Sequence, residues 1–472
     1  MPKDLRTFLD EVGDRLLRVR REVDPLTQLG ELVNQAPGPI MFENVRGYPG
    51  WRIVDLLTKP RWATAIALGT TAERVVPHLA DLLSAAPGEV VVVDDGPCKE
   101  VKLLGDDADL TQLPIAVHSV GDGGDRPRYI GGGMCVTKDV ETGIRNMAML
   151  RLQVKGPRRG GVLMVPRHTY KHFEGWEARG EPMPMAVAIG CHPAFDIACN
   201  WSGRYGVDEF GWAASFLGEP VPMVRCETIA MEVPAYCEIV IEGVILAGVR
   251  EEEGPFGEFQ GYSSSGTGRN PVFEVRAITM RRDAIYRHVQ STVFTEHQRL
   301  VCLPMEAGLY QRVRDVGGGI DLHDVYCPPW GGEWLAILQL TAHFDGQVKD
   351  ALMAALSSPY LHPKIAVAVD RDVDIFSAED VWWAVATRCD PQRDTFRVDD
   401  TRIHPMDIAA REIAGPGGRW QRLGGKIGID ATKPSTFHPE ERALFERARA
   451  EGFGQVRLED FLAPQNEPAA TR

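Results

Sequence analysis

Glu253 and Glu258 stand on either side of a proline and two glycines in the stretch EEEGPFGEFQGY, residues 251–262. Proline and glycine in so short a segment predict a tight turn that could aim both carboxylates into one cavity. Two carboxyl groups in unlike surroundings can differ in charge, so that one stays ionised while the other delivers a proton. The alternative without a chemical role is an acidic surface loop, because most runs of charged residues are exposed to solvent.

A second pair of polar residues lies in RNMAMLRLQVKG, where Asn146 and Arg151 are five residues apart on a strand-like run. On a regular strand this spacing places them on opposite faces. With a bulge or a crevice between layers, one could serve a phosphate or metal while the other enters a reaction pocket. The spacing alone carries almost no information.

His168 and His172 form an i, i+4 pair in VPRHTYKHFEGW, and Glu209 precedes a helix-like stretch. Two histidines on one helical face can ligate a metal, although a capped helix with an exposed histidine fits the pattern as well. An isolated glutamate there is most often a helix N-terminal charge. Together, Asn146, His168 and Glu209 would suit manganese or magnesium bridging to a ligand phosphate better than a structural zinc.

The elements that must position these residues change character along the chain. Residues 1 to about 85 alternate helical stretches with short apolar runs, which predicts a small α/β layer. A buried strand is predicted in EVVVVDDGPCKEV, and strand-like segments then dominate to about residue 300, which predicts a mainly antiparallel, barrel-like core. A second α/β block follows from about residue 301, and HPEERALFERARAEG predicts an exposed helix before a frayed tail.

Composition narrows the class of protein. The chain has 472 residues, 52 Lys+Arg against 66 Asp+Glu and a formal net charge of -14, which disfavours binding to nucleic acid or to an anionic membrane. Its beginning has no apolar signal core, and no run of about 18 apolar residues occurs, so we expect a cytoplasmic protein with no membrane association. Its 9 cysteines include no CxxC pair, which predicts neither disulfides nor a zinc–thiolate site.

Several spaced motifs occur in one order: N-x4-R, RH, DEF, EGPFGE-x2-GY and GGKIGIDATK. This series resembles the UbiD-like family of reversible decarboxylases that use prenylated FMN. The resemblance implies an α/β (α+β) fold: a flavin-binding catalytic domain over residues 1–310, made of an α/β layer (1–100) and a split-β-barrel core (101–310). A C-terminal α/β oligomerisation domain would follow over 311–440, with a helix and tail over 441–472. The absence of a GxGxxG motif after a strand agrees with a flavin held without a Rossmann helix.

The resemblance also implies roles for single residues. The catalytic group would be Arg151, Glu253 and Glu258. A manganese (or magnesium) ion on the flavin phosphate would be held by Asn146, His168 and Glu209. The residues expected to contact the cofactor are Asn146, Met147, Arg167, His168, Glu209 and Lys426. A potassium ion would be bound by backbone carbonyls near Ala198, Cys199 and Trp201.

In the implied mechanism, prenylated FMN bonds to the substrate and takes up the electrons released with carbon dioxide. Arg151 would hold the substrate carboxylate and pair with Glu253, while Glu258 stays protonated and delivers its proton to the carbon that lost carbon dioxide. His297 follows a strand near the join of the two blocks, where it could contact the substrate or the cofactor edge, or could equally be a satisfied interface histidine. Met305 and Trp330 would form an apolar wall for the substrate. Met305 replaces an arginine found in some relatives and offers no partner for a second carboxylate. We therefore expect an aromatic or heteroaromatic monoacid, including polycyclic acids of the phenazine or indole type.

Other functions fit parts of the pattern. Within the same class, the enzyme could be a cinnamate-type acrylic-acid decarboxylase that acts by cycloaddition. From another class, a metal-dependent hydrolase could use His168, His172 and Glu209 without flavin. A non-catalytic assembly subunit is less consistent with the intact Arg151, Glu253 and Glu258 set. As partners, the resemblance implies a flavin prenyltransferase that supplies the cofactor, and assembly into a homodimer or a hexamer.

Overall fold

The N-terminal part of the chain forms the predicted α/β layer. The structure is a computed structural model, and it describes residues 2–122, 127–201, 203–262, 266–316, 319–415 and 420–461. Its first helix is capped by Asp4, which accepts from the Thr7 amide while the Thr7 hydroxyl accepts from the Asp4 amide. The elements of the layer are α1 (Leu5–Val12), β1 (Leu17–Val19), α2 (Leu29–Gln35), β2 (Ile40–Phe42), β3 (Arg52–Asp55), α3 (Arg61–Ala67) and α4 (Val75–Ser84).

The middle of the chain forms a large curled sheet whose neighbouring strands are all antiparallel, as predicted for the barrel-like core. The strand order in the sheet is β6-β9-β10-β15-β14-β11-β7-β8, with β5 paired to β15. The elements of this region are β4 (Val90–Val92), β5 (Val101–Leu104), β6 (Tyr129–Ile130), β7 (Met134–Lys138), β8 (Arg145–Met149), β9 (Leu152–Gly156), β10 (Arg159–Val162), α5 (His168–Ala178), β11 (Met183–Ile189), α6 (Pro193–Asn200), α7 (Glu209–Leu217), β12 (Val221–Arg225), β13 (Glu232–Pro234), β14 (Ile239–Glu253), β15 (Gly268–Met280) and β16 (Ile285–Arg287).

Two strands differ from the prediction. The valine run of β4 was predicted to be buried, but β4 lies at the edge of a small sheet with β12 and β13, and Val91 and Val92 are exposed. An apolar run does not show by itself whether its strand is central or at an edge. In addition, β16 leaves the barrel region and pairs in parallel with β3, so the chain returns to the N-terminal layer after completing the large sheet.

The second α/β block contains a mixed sheet with the order β17-β18-β19-β22-β20, and β21 pairs with β22. The long first helix of this block, α8 (Glu296–Arg314), continues across residue 310, the predicted boundary between the two domains. The domain boundary therefore stays a prediction. The final helix is short and ends at Ala443, and the tail from residue 462 lies outside the described residues. The elements are α8 (Glu296–Arg314), β17 (Asp321–Tyr326), β18 (Leu335–Thr341), α9 (Gln347–Leu356), β19 (Ile365–Val369), α10 (Ala378–Arg388), β20 (Thr395–Ile403), β21 (Arg411–Ala414), β22 (Trp420–Ala431) and α11 (Pro439–Ala443).

Arg287, at the end of β16, joins three parts of the molecule. Its buried guanidinium lies 3.5 Å from Asp55 at the end of β3, 3.1 Å from Asp196 on α6 and 2.7 Å from Glu296 at the start of α8. Burial raises the pKa of Asp55, and it raises the pKa of Asp196 to about 6, while Arg287 acts in the opposite direction on both. This cluster links the N-terminal layer, the barrel region and the second block.

Two expectations from composition can be compared with the structure. All 9 cysteines are free, so the prediction that they form no disulfides is confirmed. Among the residues that the structure describes, no helix has both the length and the apolar character needed to cross a lipid bilayer.

Candidate active site

The turn that carries the two carboxylates begins where β14 ends. Glu253 is the last residue of β14 and pairs with Gly268 at the start of β15. Gly254 follows with a φ of 89°, and a β-carbon there would collide with the carbonyl oxygen of Gly266. Only glycine avoids this collision, so the chain can turn sharply directly after Glu253. Glu253 and Glu258 are both buried, which rules out the solvated acidic loop.

Arg151 connects the two carboxylates. Its Nε donates to Glu253 Oε1 at 3.0 Å and its Nη2 donates to Glu253 Oε2 at 2.9 Å. Its Nη1 donates to Glu258. The prediction of one continuous strand is wrong here, because β8 ends at Met149 and β9 begins at Leu152, which leaves Arg151 in the connection. That break lets Arg151 reach the turn while Asn146 stays on β8.

Further contacts fix this group in place. Asn270 Nδ2 on β15 donates to Glu253 Oε2 at 2.9 Å, so both oxygens of Glu253 accept from neighbours. The Arg151 guanidinium lies 4.9 Å from the ring centre of Phe256, a favourable cation–π distance. Burial would lower the pKa of Arg151, but Glu258 and Glu253 outweigh it and raise that pKa. The arginine is therefore a permanent cation between two buried acids.

A cavity of about 490 Å³ lies beside this group, within the range of roughly 300–1,000 Å³ that is usual for ligand sites. It is lined by five of the residues predicted to contact the cofactor: Asn146, Met147, Arg167, His168 and Glu209. Leu150, the neighbour of Arg151, also lines it. The cavity and the Arg151 group therefore meet at one point of the chain.

Secondary structure explains how these side chains converge. Asn146 and Met147 lie on β8, Arg167 is the N-cap of α5, and His168 and Glu209 are the first residues of α5 and α7. Two helix N-termini thus face the same cavity, and helix N-termini favour bound anions such as phosphate. The Met147 amide donates to Glu209 at 2.8 Å, which attaches α7 to β8.

The donor set fits a hard divalent cation held together with a phosphate. Burial raises the pKa of Glu209 to about 7 against the opposing hydrogen bond from Met147. Burial, then Arg167 and Lys171, lower the pKa of His168, so its ring is neutral and can ligate. Asn146 Nδ2 donates to Thr169 at 3.0 Å, which leaves its amide oxygen for a cation.

His172 does not join this set. It is buried within α5, its Nδ1 lies 3.0 Å from the Thr137 hydroxyl, and it does not line the cavity. Within the described ranges, no cluster of three or more His, Cys, Asp and Glu side chains could hold a metal. The ligand set that the hydrolase hypothesis requires, with His168, His172 and Glu209 together, is therefore not assembled.

The remaining predicted residues lie in different places. His297 joins the Arg151 group: its ring centre is 5.4 Å from that of Phe259, and burial, with His118 and Arg151 adding to it, lowers its pKa to about 4. Lys426 Nζ donates to the Leu356 carbonyl at 2.6 Å and does not line the cavity. Met305 and Trp330 pack into two apolar cores outside the cavity. Met305 is eight residues beyond His297, or about 12 Å along α8.

Sequence reasoning missed Asn270 and Phe256, although Asn270 contacts Glu253 and Phe256 contacts Arg151. Phe256 lies inside the stretch that carries the two glutamates, so its proximity could have been expected. Asn270 lies on the opposite strand, and only the register of β14 against β15 brings it to Glu253. No local signal in the sequence marks that register.

Three domain profiles of one protein family together match most of the chain. The UbiD core profile, described as the 3-octaprenyl-4-hydroxybenzoate carboxy-lyase Rift-related domain, matches residues 90–293. The N-terminal and C-terminal domain profiles of the same carboxy-lyase match residues 9–83 and 298–431. Anhydromevalonate phosphate decarboxylase from Methanothermobacter thermautotrophicus is 31% identical over 434 residues, which cover 91% of this chain and 97% of the relative.

Solved structures are similar over nearly the whole chain. The UbiD-class enzyme HmfF from Pelotomaculum thermopropionicum, in complex with FMN, has a TM-score of 0.87 and 37% identity, covering 97% of this chain and 100% of that one. An evolved dimeric form of HmfF, in complex with prFMN, has a TM-score of 0.84, 36% identity and the same coverage. Apo 3,4-dihydroxybenzoic acid decarboxylase (AroY) from Klebsiella pneumoniae has a TM-score of 0.85 and 28% identity, covering 97% and 99%. The predicted fold class is confirmed.

Proposed function

The chain belongs to the UbiD family and is a carboxy-lyase, and from this premise we propose that it decarboxylates an aromatic or heteroaromatic monocarboxylic acid with prenylated FMN. One observation carries the proposal. The buried Arg151 contacts both Glu253 and Glu258, and Leu150, the residue before it, lines the same cavity as Asn146 and Glu209. The site thus combines three features: the Arg151 cation for a substrate carboxylate, the Glu258 carboxyl group for proton transfer, and a polar cavity large enough for a flavin.

The residues of the cavity would hold the cofactor. Asn146, His168 and Glu209 would ligate a manganese or magnesium ion on the flavin phosphate, with Met147 and Arg167 beside it. We retain Lys426 as a phosphate contact, and a potassium ion near Ala198, Cys199 and Trp201, as parts of this proposal. When bound, prenylated FMN would accept the electron pair that the substrate releases with carbon dioxide.

The protein's own groups would orient the substrate and move the proton. The Arg151 cation attracts the substrate carboxylate, and Glu253, fixed by Arg151 and Asn270, keeps the guanidinium aligned. Glu258 would deliver a proton to the carbon that lost carbon dioxide. Burial excludes bulk water from the group, which strengthens these charge interactions. The same geometry would serve the reverse carboxylation, because mass action sets the direction.

A test of this proposal uses protein co-produced with a flavin prenyltransferase and supplied with manganese and potassium. We expect an absorption spectrum and a released-cofactor mass that correspond to about one prenylated FMN per chain. We also expect carbon dioxide release from members of an aromatic and heteroaromatic acid panel. Cinnamic acid belongs in the panel because an acrylic acid could use the same Arg151 group. A folded protein that binds no flavin would refute the cofactor assignment.

The two histidines of α5 provide a matched pair of variants for the cofactor site. We expect His168→Ala to lower bound flavin and manganese by about tenfold or more, because loss of one ligand weakens the whole site. We expect His172→Gln to keep both, since His172 contacts Thr137 and not the cavity. Flavin absorbance and metal content after gel filtration measure the effect, with thermal melting as the control for folding. Equal retention of flavin and manganese in both variants would refute the ligand set, and loss of manganese in both variants would favour the hydrolase set, which requires both histidines.

The assembly state is also part of the proposal. We expect a homodimer or a hexamer formed through the C-terminal block, as the resemblance implies. One of the similar structures is itself described as a dimeric form.

A further inference from the structure

Glu333 is a buried carboxylate that the mechanism above does not use. Neither of its oxygens has a hydrogen-bond partner in the described part of the chain, and its side chain is fully buried. The nearest basic group, His362 Nε2, lies 3.8 Å from Oε2, too far for a hydrogen bond. An unsatisfied buried carboxylate is costly, so its presence points to a ligand that satisfies it.

The backbone around Glu333 holds the side chain inward. Gly332 and Glu333 both have left-handed conformations, with φ values of 58° and 71°. Non-glycine residues rarely adopt this conformation, and such residues concentrate at functional sites. The Trp334 amide closes the turn by donating to the Gly331 carbonyl at 3.0 Å. The turn therefore places Glu333 in the interior at a conformational cost.

Ring contacts join the turn that carries Glu258 to the region around Glu333. Burial, and then the charge of Glu258, raise the pKa of Glu333. Rings connect them: Phe259 lies 5.4 Å from His297 and 6.5 Å from His404, measured between ring centres. Gln260 Nε2 also donates to the Met406 carbonyl at 3.4 Å, which joins the barrel turn to the second block.

Phe259, Trp334, His362 and His404 form an aromatic wall that links the two segments, because Phe259 follows Glu258 and Trp334 follows Glu333 in the chain. His362 and His404 stack at 4.2 Å, and Trp334 lies 5.6 Å from His404. Burial, with a smaller effect of neighbouring charge, lowers the pKa of both histidines, that of His404 to about 4. The wall is therefore neutral at neutral pH, so it suits a flat ring and leaves Glu333 without a cation to pair with.

From these contacts, and resting on the proposed function, we propose that Glu333 accepts a hydrogen bond from an N–H or O–H on the substrate ring. Arg151 would hold the substrate carboxylate at one end, the aromatic wall would cover the ring, and Glu333 would bind the opposite edge. A carboxyl group can accept such a bond in either charge state. A second carboxylate or a phosphate at that edge would face this acid, so the inferred substrates are monoacids with a ring-edge donor.

Two pairs of acids test the inference and separate its two donor types. One pair is indole-3-carboxylic acid and its 1-methyl derivative, and the other is 4-hydroxybenzoic acid and 4-methoxybenzoic acid. Calorimetry on the full-length protein loaded with unprenylated FMN measures affinity without turnover. We expect the donor-bearing acid of at least one pair to bind about tenfold or more tightly than its methylated partner. The pair that discriminates shows whether the donor is N–H or O–H.

Glu333→Leu provides the decisive comparison, because leucine has a similar size and no hydrogen-bonding group. We expect the preference to fall to about twofold or less in this variant. We also expect the variant to melt at or above the temperature of the parent protein, since an unsatisfied buried acid has been replaced by an apolar side chain. A preference that persists in Glu333→Leu would overturn the inference. Absence of any preference in the parent protein, including no binding of all four acids, would overturn it without need of the variant.

Carbon dioxide release by the prenylated holoenzyme distinguishes this inference from the proposed function. If neither acid of a pair is decarboxylated, the proposed function fails for that pair. The calorimetric affinities still test whether Glu333 binds the ring-edge donor. If both acids of a discriminating pair are decarboxylated with equal kcat/KM, the function stands and the assignment of Glu333 to substrate recognition fails.

Discussion

Glu258→Gln should lower the rate of carbon dioxide release by about a hundredfold to ten-thousandfold, the usual range for loss of a positioned general acid, which is the role proposed for Glu258. Glutamine has almost the same shape and can still accept the hydrogen bond from Arg151 Nη1, but it cannot supply the proton. The variant should keep its flavin, because Glu258 does not line the cofactor cavity. Two measurements check the expectation: kcat for carbon dioxide release, and deuterium incorporation at the product carbon in D2O.

The matched control for this variant is Glu252→Gln, which changes an exposed acid one residue before Glu253 on β14. It should leave kcat within about twofold of the parent protein, because a solvated surface acid contributes little to the buried group. Full activity in Glu258→Gln would refute its role as proton donor. Loss of flavin together with activity would instead assign Glu258 to cofactor binding.

The largest expected effect on stability belongs to Arg287→Met, which should lower the free energy of unfolding by about 3–5 kcal/mol. Methionine approximates the length of the buried stem but leaves Asp55, Asp196 and Glu296 without their cation. Urea unfolding followed by tryptophan fluorescence measures the loss. The exposed pair of Arg158 with Asp106 supplies the control, since Arg158→Met should cost no more than about 1 kcal/mol.

The Arg287→Met deficit should depend on pH in a defined direction. Burial already raises the pKa of Asp55 and Asp196, the latter to about 6, and loss of the cation raises them further. A buried acid with a raised pKa destabilises the fold when it must ionise, and this penalty disappears as pH falls and the acid is protonated. The difference in the free energy of unfolding between Arg287→Met and the parent protein should therefore become smaller as the pH falls from 8 to 5.5. A constant gap, or a loss below 1 kcal/mol, would contradict the role given to this cluster.

Local sequence was sufficient to find the parts of the site that lie in short segments. Glu253 and Glu258 share one turn, and Gly254 is required where the chain bends, so their convergence could be predicted from twelve residues. The motif singled out both Arg151 and Asn146, but the strand break that lets Arg151 reach the turn has no local signal. Motif spacing records which residues act together and not the path of the backbone between them.

Contacts between distant segments could not be predicted in this way. Asn270 reaches Glu253 through strand register, and the second block comes close to the barrel turn through the contacts of Gln260 with Met406 and of Phe259 with His404. Both depend on packing between elements that the sequence does not encode locally. The same limit applies to Met305, whose burial in an apolar core depends on the elements that pack against α8. The exposed valines of β4 are a further case, since an edge strand is defined only by its neighbours.

The aromatic wall has a consequence for how substrate range can evolve. The acids and the arginine come from the barrel hairpin and the connection before β9, whereas Trp334, His362 and His404 come from the second block. Mutation of these three residues can therefore alter the proposed ring-binding wall, except Phe259 of the barrel turn, without changing the residues proposed for proton transfer. A lineage built on this architecture can acquire new substrates by drift in one half of the gene while selection preserves the reaction in the other.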